Sequence, residues 1–148
     1  MYSAHVEIAA SPSRVFAVLT DHTVLKDWTP EIVEAKPLEG GLRVGASSHA
    51  LVEEFGRRFD VQLVIVGLEP DARIAYDMRT PMWSGHVEYV LTHRPGGTNL
   101  SMSFVPEPPQ RRSVRVLARG LAPLTRPLVQ RRLRQRLEAL RRIIETRT

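Results

Sequence analysis

No cysteine occurs among the 148 residues. That excludes disulfides, thiolate nucleophiles and thiolate-built metal sites, and it fits the cytoplasmic location expected here. Long apolar runs are missing too. None approaches the roughly 18 residues that would suggest a membrane span. The opening Met1-Tyr2-Ser3-Ala4-His5-Val6-Glu7 lacks the basic-then-hydrophobic order of a signal peptide. There is no glycine-rich phosphate loop and no nucleophile elbow. No His/Asp/Glu set has metal-ligand spacing, so neither a metal nor a cofactor is expected. Lysine is almost absent: of 21 basic residues only Lys26 and Lys36 are lysine, which reads as codon bias.

What is present points to one compact domain, residues 1–148. The net charge of +5 is unevenly spread: residues 1–109 carry 9 Lys+Arg against 14 Asp+Glu, whereas residues 110–148 carry 12 Arg against 2 Glu. The basic segment is a helix by its periodicity. Leu133, Leu137, Leu140 and Ile144 recur at the spacing of one apolar stripe, and Leu117, Leu121, Leu124 and Leu128 repeat that spacing upstream. Gly120, Pro123 and Pro127 predict a kink or short break between Leu117 and Leu128. A striped helix needs cover, and only the sheet-forming region before it can supply that.

That region alternates with period two. Tyr2 to Ala10 is a half-buried strand. Ser11 caps a helix with Pro12 at its first turn, and Asp21 or Thr23 is placed to cap a second short helix through Leu25 to Trp28. Pro30 stops it. Antiparallel strands then follow, separated by turns at Glu39-Gly40-Gly41, Gly56-Arg57, Glu69-Pro70-Asp71 and Pro95-Gly96-Gly97. Trp83 to His93 is the longest of them.

This element order resembles the helix-grip fold of the Bet v 1-like or START-like superfamily, in its bacterial polyketide cyclase/dehydrase and lipid-transport branch. Three stretches carry the resemblance: Ile8-Ala9-Ala10-Ser11-Pro12-Ser13-Arg14-Val15-Phe16, Asp21 followed by Trp28-Thr29-Pro30, and Gly97-Thr98-Asn99-Leu100. It implies an α+β chain in which a curved antiparallel sheet of about seven strands wraps a long C-terminal helix, with two short helices between the first two strands. It also implies a mostly apolar cavity between sheet and helix, for a lipid, polyketide, quinone or aromatic molecule. The residues expected on the concave face are Phe59, Val61, Leu63, Tyr76, Met78, Trp83, Gly85, Tyr89, Met102 and Phe104, with Trp28 near the entrance. Each of these also suits plain core packing. Gly85 favours a pocket, because a missing side chain in mid-strand leaves room.

Chemistry would need convergent ionisable groups. His49 and Glu53 share one strand face. With three residues in the loop after Glu54 that face turns inward; with two, Ala50 and Val52 turn inward instead. His86 and Glu88 read as an exposed pair. Cyclases of the resembled family use Arg, Tyr and Trp to orient a poly-β-ketone, and by type Arg115, Tyr76 and Trp83 are the equivalents.

The leading expectation is binding of one small hydrophobic ligand. The alternatives are a cofactor-independent aromatase/cyclase or dehydratase, and a module docking to a membrane or protein through its arginines. Those arginines read first as a solvated face. A weak anionic-membrane contact is the second reading. Nucleic acid is not an expected partner, since no aromatics interleave the arginines. The sequence leaves the oligomeric state open.

Overall fold

The computed structural model describes residues 1–54, 56–81, 83–107 and 112–147, with the backbone alone for 112–125. The chain runs β1 (Tyr2–Ile8), α1 (Pro12–Leu19), α2 (Leu25–Trp28), β2 (Ile32–Ala35), β3 (Ser47–Glu54), β4 (Arg57–Glu69), β5 (Arg73–Arg79), β6 (Ser84–Arg94), β7 (Gly97–Pro106) and α3 (Arg112–Thr146). One seven-stranded antiparallel sheet has the order β1-β7-β6-β5-β4-β3-β2. This is the expected helix-grip arrangement: a meander from β2 to β7, with β1 added at its far side.

Local chemistry sets the ends of α1. The Ser11 hydroxyl accepts a hydrogen bond from the Arg14 N–H at 3.3 Å, and Pro12 occupies the first turn. The second short helix departs from expectation. Its N-cap is Val24, which offers no side-chain bond. Asp21 instead accepts from the backbone N–H and hydroxyl of Thr23, at 2.9 and 2.6 Å, forming a turn ahead of the helix. Those hydrogen bonds hold the Asp21 carboxyl below its ordinary range.

The tight turn between β6 and β7 needs positive φ only at Gly96, φ +83°. Gly97 serves a different purpose: a Cβ there would run into the Ile8 carbonyl where β1 leaves the sheet.

The stripe of α3 is buried as its period requires. Leu133 is 4% exposed, and Leu137, Leu140 and Ile144 are 0% exposed. They pack with Ile8, Val15, Phe16, Ile65, Ile74 and Leu100 in one core. Leu128, the last of the upstream run, is 68% exposed. Five residues separate it from Leu133, which at about 100° per residue turns it roughly 140° away. Leu117, Leu121 and Leu124 lie outside the described side chains. The helix runs unbroken from Arg112 to Thr146, through Gly120, Pro123 and Pro127, where a break was the alternative to a kink. Proline removes one hydrogen bond but its fixed φ is itself helical.

Three ties hold α3 along β1 and its flanking residues, and a fourth joins the end of α3 to α1. The Ser3 and Ala9 N–H groups donate to Gln130 Oε1 and Glu145 Oε1, at 3.2 and 3.1 Å. Arg126 donates to the Met1 carbonyl and Arg14 to that of Arg147, at 3.0 and 2.7 Å. The spacings agree: Gln130 to Glu145 rises about 22 Å along a helix, and Ser3 to Ala9 about 20 Å along a strand. The edge strand β1 is thereby covered.

Candidate functional site

The cross-strand register puts the expected apolar residues on one face. Phe59 pairs with Val52 and Val61 with Ala50. Leu63 pairs with Met78, and Met78 with Gly85. Tyr76 pairs with Val87, Val87 with Phe104, and Tyr89 with Met102. This is the concave face that meets α3.

Burial along it is graded. Ile65, Ile74 and Leu100 are fully buried under the stripe of α3. Toward the end formed by the close of β5, the start of β6 and the close of β7, Leu63, Tyr76, Met78 and Phe104 are only half-buried, as is Phe59 at the start of β4. Trp83 is 37% exposed. It stands edge-on to Phe104, with ring centroids 5.8 Å apart, and Tyr2 stacks on the same Phe104 ring at 6.3 Å.

Gly85 does not leave the open space the sequence suggested, because the Phe104 ring covers it. A Cβ at Gly85 would stand 2.7 Å from Phe104 Cε2. Trp28 is 3% exposed and meets the Tyr89 ring edge-on at 6.3 Å, so it packs between α2 and the sheet. Burial pushes the Tyr76 hydroxyl up to about 12. Tyr89 moves further in the same direction through burial, with the nearby Tyr76 adding to it.

The His49 and Glu53 pair is a correction. Glu54 pairs with Arg57, which is the shorter of the two loop lengths, and Gly56 has φ +73°. The shorter loop turns Ser48, Ala50 and Val52 inward, at 8%, 3% and 7% exposure. His49 and Glu53 therefore face solvent. Glu53 is bound at 2.9 Å by Arg58. The inward carboxylate of β3 is Glu54, which shares the parity of Val52 and pairs with Arg132 of α3. His86 and Glu88 lie on the opposite face, as expected. His86 Nδ1 is 2.9 Å from Asp77 Oδ1, and Glu88 is 2.8 Å from Arg73. The Arg115 side chain is outside the described residues.

Between α2, the tip of β3 and α3 lies an open groove of about 520 Å³, lined by Trp28, Pro30, Glu31, Glu54, Arg132, Arg136 and Ala139 among others. Sequence reasoning missed it. Glu31 and Arg136 form an ion pair there, with side chains 17% and 20% exposed. Burial lowers Arg136 to about 10. No local pattern links positions so far apart in the chain; only the folded register brings them together. Much of the arginine run is thus structural: Arg132, Arg136, Arg141 and Arg147 pair with Glu54, Glu31, Glu138 and Asp27. Arg131 and Arg134 are exposed.

Among the described residues no group of three or more His, Asp or Glu could hold a metal ion. No described helix is long and apolar enough to cross a membrane.

A family model described as polyketide cyclase/dehydrase and lipid transport matches residues 2–145. None of the curated proteins matches the sequence. Several solved structures share the fold. A START superfamily protein from Mycobacterium smegmatis is 18% identical with a TM-score of 0.68, over 99% of this chain and 97% of that one. Ara h 8.0201 is 12% identical at a TM-score of 0.68, over 98% and 97%. A protein from Chromobacterium violaceum is 21% identical at a TM-score of 0.63, over 97% and 95%.

Proposed function

We propose that this chain, which belongs to the polyketide cyclase/dehydrase and lipid transport family, binds one small hydrophobic molecule between the concave face of its sheet and α3. One observation carries the reading. The apolar face does not end where the packed core ends. It continues past Ile65 and Ile74 into half-buried Phe59, Leu63, Tyr76, Met78 and Phe104, and then to Trp83. An apolar concave wall with a few polar groups suits a small organic ligand. The family description supports the same class, since polyketide cyclisation, dehydration and lipid transport all handle hydrophobic molecules.

Cofactor-independent cyclase or dehydratase activity is the second reading, and Tyr76 favours it. Its phenol stands half-buried on the apolar wall, and a phenol, protonated at neutral pH, can donate to a ketone oxygen. The exposure of His49 and Glu53 removes the acid–base pair this reading first rested on.

The test is a thermal-shift and native mass-spectrometry panel of lipids, quinones and aromatic polyketides, run on the wild type, on Met78→Arg and on a His49→Ala/Glu53→Gln double variant. Binding is expected in the wild type and the double variant and lost in Met78→Arg. Absence of any bound ligand in the wild type, or loss in the double variant alone, overturns the proposal.

A further inference from the structure

We infer that the outward side of α3, with the exposed apolar residues at its Leu128 end, docks on an anionic lipid bilayer. Docking there requires no ligand on the concave face and goes beyond the function proposed above.

The arginines of α3 and the residue after it divide into two sets. Arg132, Arg136, Arg141 and Arg147 have carboxylate partners. Arg131, Arg134 and Arg142 are exposed, and among the described residues none of them forms an ion pair. Arg142 donates through Nε to the Glu138 carbonyl at 3.4 Å, which leaves its charge uncompensated.

Geometry gathers the second set. At about 100° per residue the three fall within an arc of about 80°, centred roughly 140° from the buried stripe. With Pro127, Gln135 and Glu138 they border an open groove of about 570 Å³ along the outer side of α3. Among the described residues Glu138 is the one acid on that border, and Arg141 is its partner. Three uncompensated positive charges therefore face solvent together, and an anionic surface relieves the repulsion among them.

Apolar exposure selects which anionic partner. Leu128 stands three residues before Arg131 and is 68% exposed. Arg126, on the same turn as Leu128, donates to the Met1 carbonyl at 3.0 Å and stands 5.6 Å above the Tyr2 ring. Met1 is 70% exposed. Tyr2 stacks on Phe104, which meets the exposed Trp83. Met1, Trp83 and Leu128 are thus exposed at one end of the molecule, where the arginine face begins. A nucleic-acid backbone offers charge without hydrocarbon and would leave those side chains in water. A bilayer offers phosphate over hydrocarbon, the order that suits arginine beside apolar residues. Each arginine near such a surface strengthens attachment by about fivefold.

Sedimentation with vesicles of phosphatidylcholine, with and without phosphatidylglycerol, tests this on the full chain. The wild type is expected to bind only the anionic vesicles and to release them as salt rises. Arg131→Gln/Arg134→Gln is expected to weaken binding by about 25-fold, the worth of two charges. Lys36→Gln/Arg43→Gln removes the same net charge from the loop between β2 and β3 and is expected to weaken it by less than about threefold. Leu128→Ser is expected to weaken it by about tenfold. Of the two tryptophans Trp28 is buried, so a blue shift of emission on binding reports Trp83 entering the interface. Absence of binding to anionic vesicles, equal losses from the two double variants, an unaffected Leu128→Ser, unshifted emission, or binding to a DNA duplex as tight as to the vesicles overturns the docking surface. None of these outcomes bears on the ligand of the concave face, which the ligand panel tests on its own.

Discussion

The Trp28 ring meets the Tyr89 ring edge-on, with centroids 6.3 Å apart and planes at 82°. The contact joins a four-residue helix, which has no side-chain cap of its own, to the concave face of the sheet. Truncating a buried tryptophan removes a large apolar surface and leaves a cavity. Trp28→Ala is expected to lower stability by about 3 to 5 kcal/mol in urea denaturation. Trp83→Ala, at a site 37% exposed, should lose much less. Equal losses at the two sites would show that α2 is not held this way.

Glu31 and Arg136 form a pair that is mostly withdrawn from water. Removing one member leaves the other charge without its partner. Glu31→Ala is therefore expected to cost about 2 to 4 kcal/mol, near the range for breaking a buried pair. Glu53→Ala, whose carboxylate is 48% exposed beside Arg58, should cost under about 1 kcal/mol. Urea midpoints of the two variants make the comparison. Similar midpoints would mean that the groove is wet enough to screen Glu31.

Alkaline pH should expose the buried phenols. Burial holds Tyr76 at about 12 in the folded chain, against 10.0 for a free tyrosine. The folded state thus retains a proton that the unfolded state gives up. Its stabilising contribution is intact below pH 10 and is lost as the pH climbs from 10 to 12, a fall of about 2 to 3 kcal/mol from Tyr76 alone. Tyr89 extends the effect in the same direction. Denaturation measured at about pH 9 and about pH 11 should register the drop, and Tyr76→Phe should shrink it. A flat profile in the wild type would mean that both hydroxyls reach water.

Much of this fold is legible in the sequence because its signals are periodic. The alternation of Phe59, Val61 and Leu63, and of Tyr76 and Met78, places those residues on one face whatever the neighbouring strands do. The spacing of Leu133, Leu137, Leu140 and Ile144 does the same for α3. Where a reading depended on counting residues in a turn, it stayed open. One residue at the hairpin after Glu54 decides whether Glu53 or Glu54 points inward, and composition does not fix that number. Leu128 is exposed although its run has the right spacing, because two runs of correct spacing need not be in phase with each other. Glu31 and Arg136 carry no local pattern at all. Their meeting depends on the three-dimensional path between them, as does the burial of the Trp28 indole nitrogen beside them.

The clasp between β1 and α3 has a bearing on synthesis. The first strand finds its outer partners in Gln130 and Glu145, 127 and 136 residues further along the chain. A nascent chain that still has its final helix inside the ribosomal exit tunnel holds a sheet whose inner wall is bare and whose leading edge is unclasped. Such long-separation contacts are slow to form. The sheet is therefore closed only once α3 has left the tunnel, and a chain cut before α3 keeps a sticky, unclosed inner wall rather than forming a smaller version of the protein.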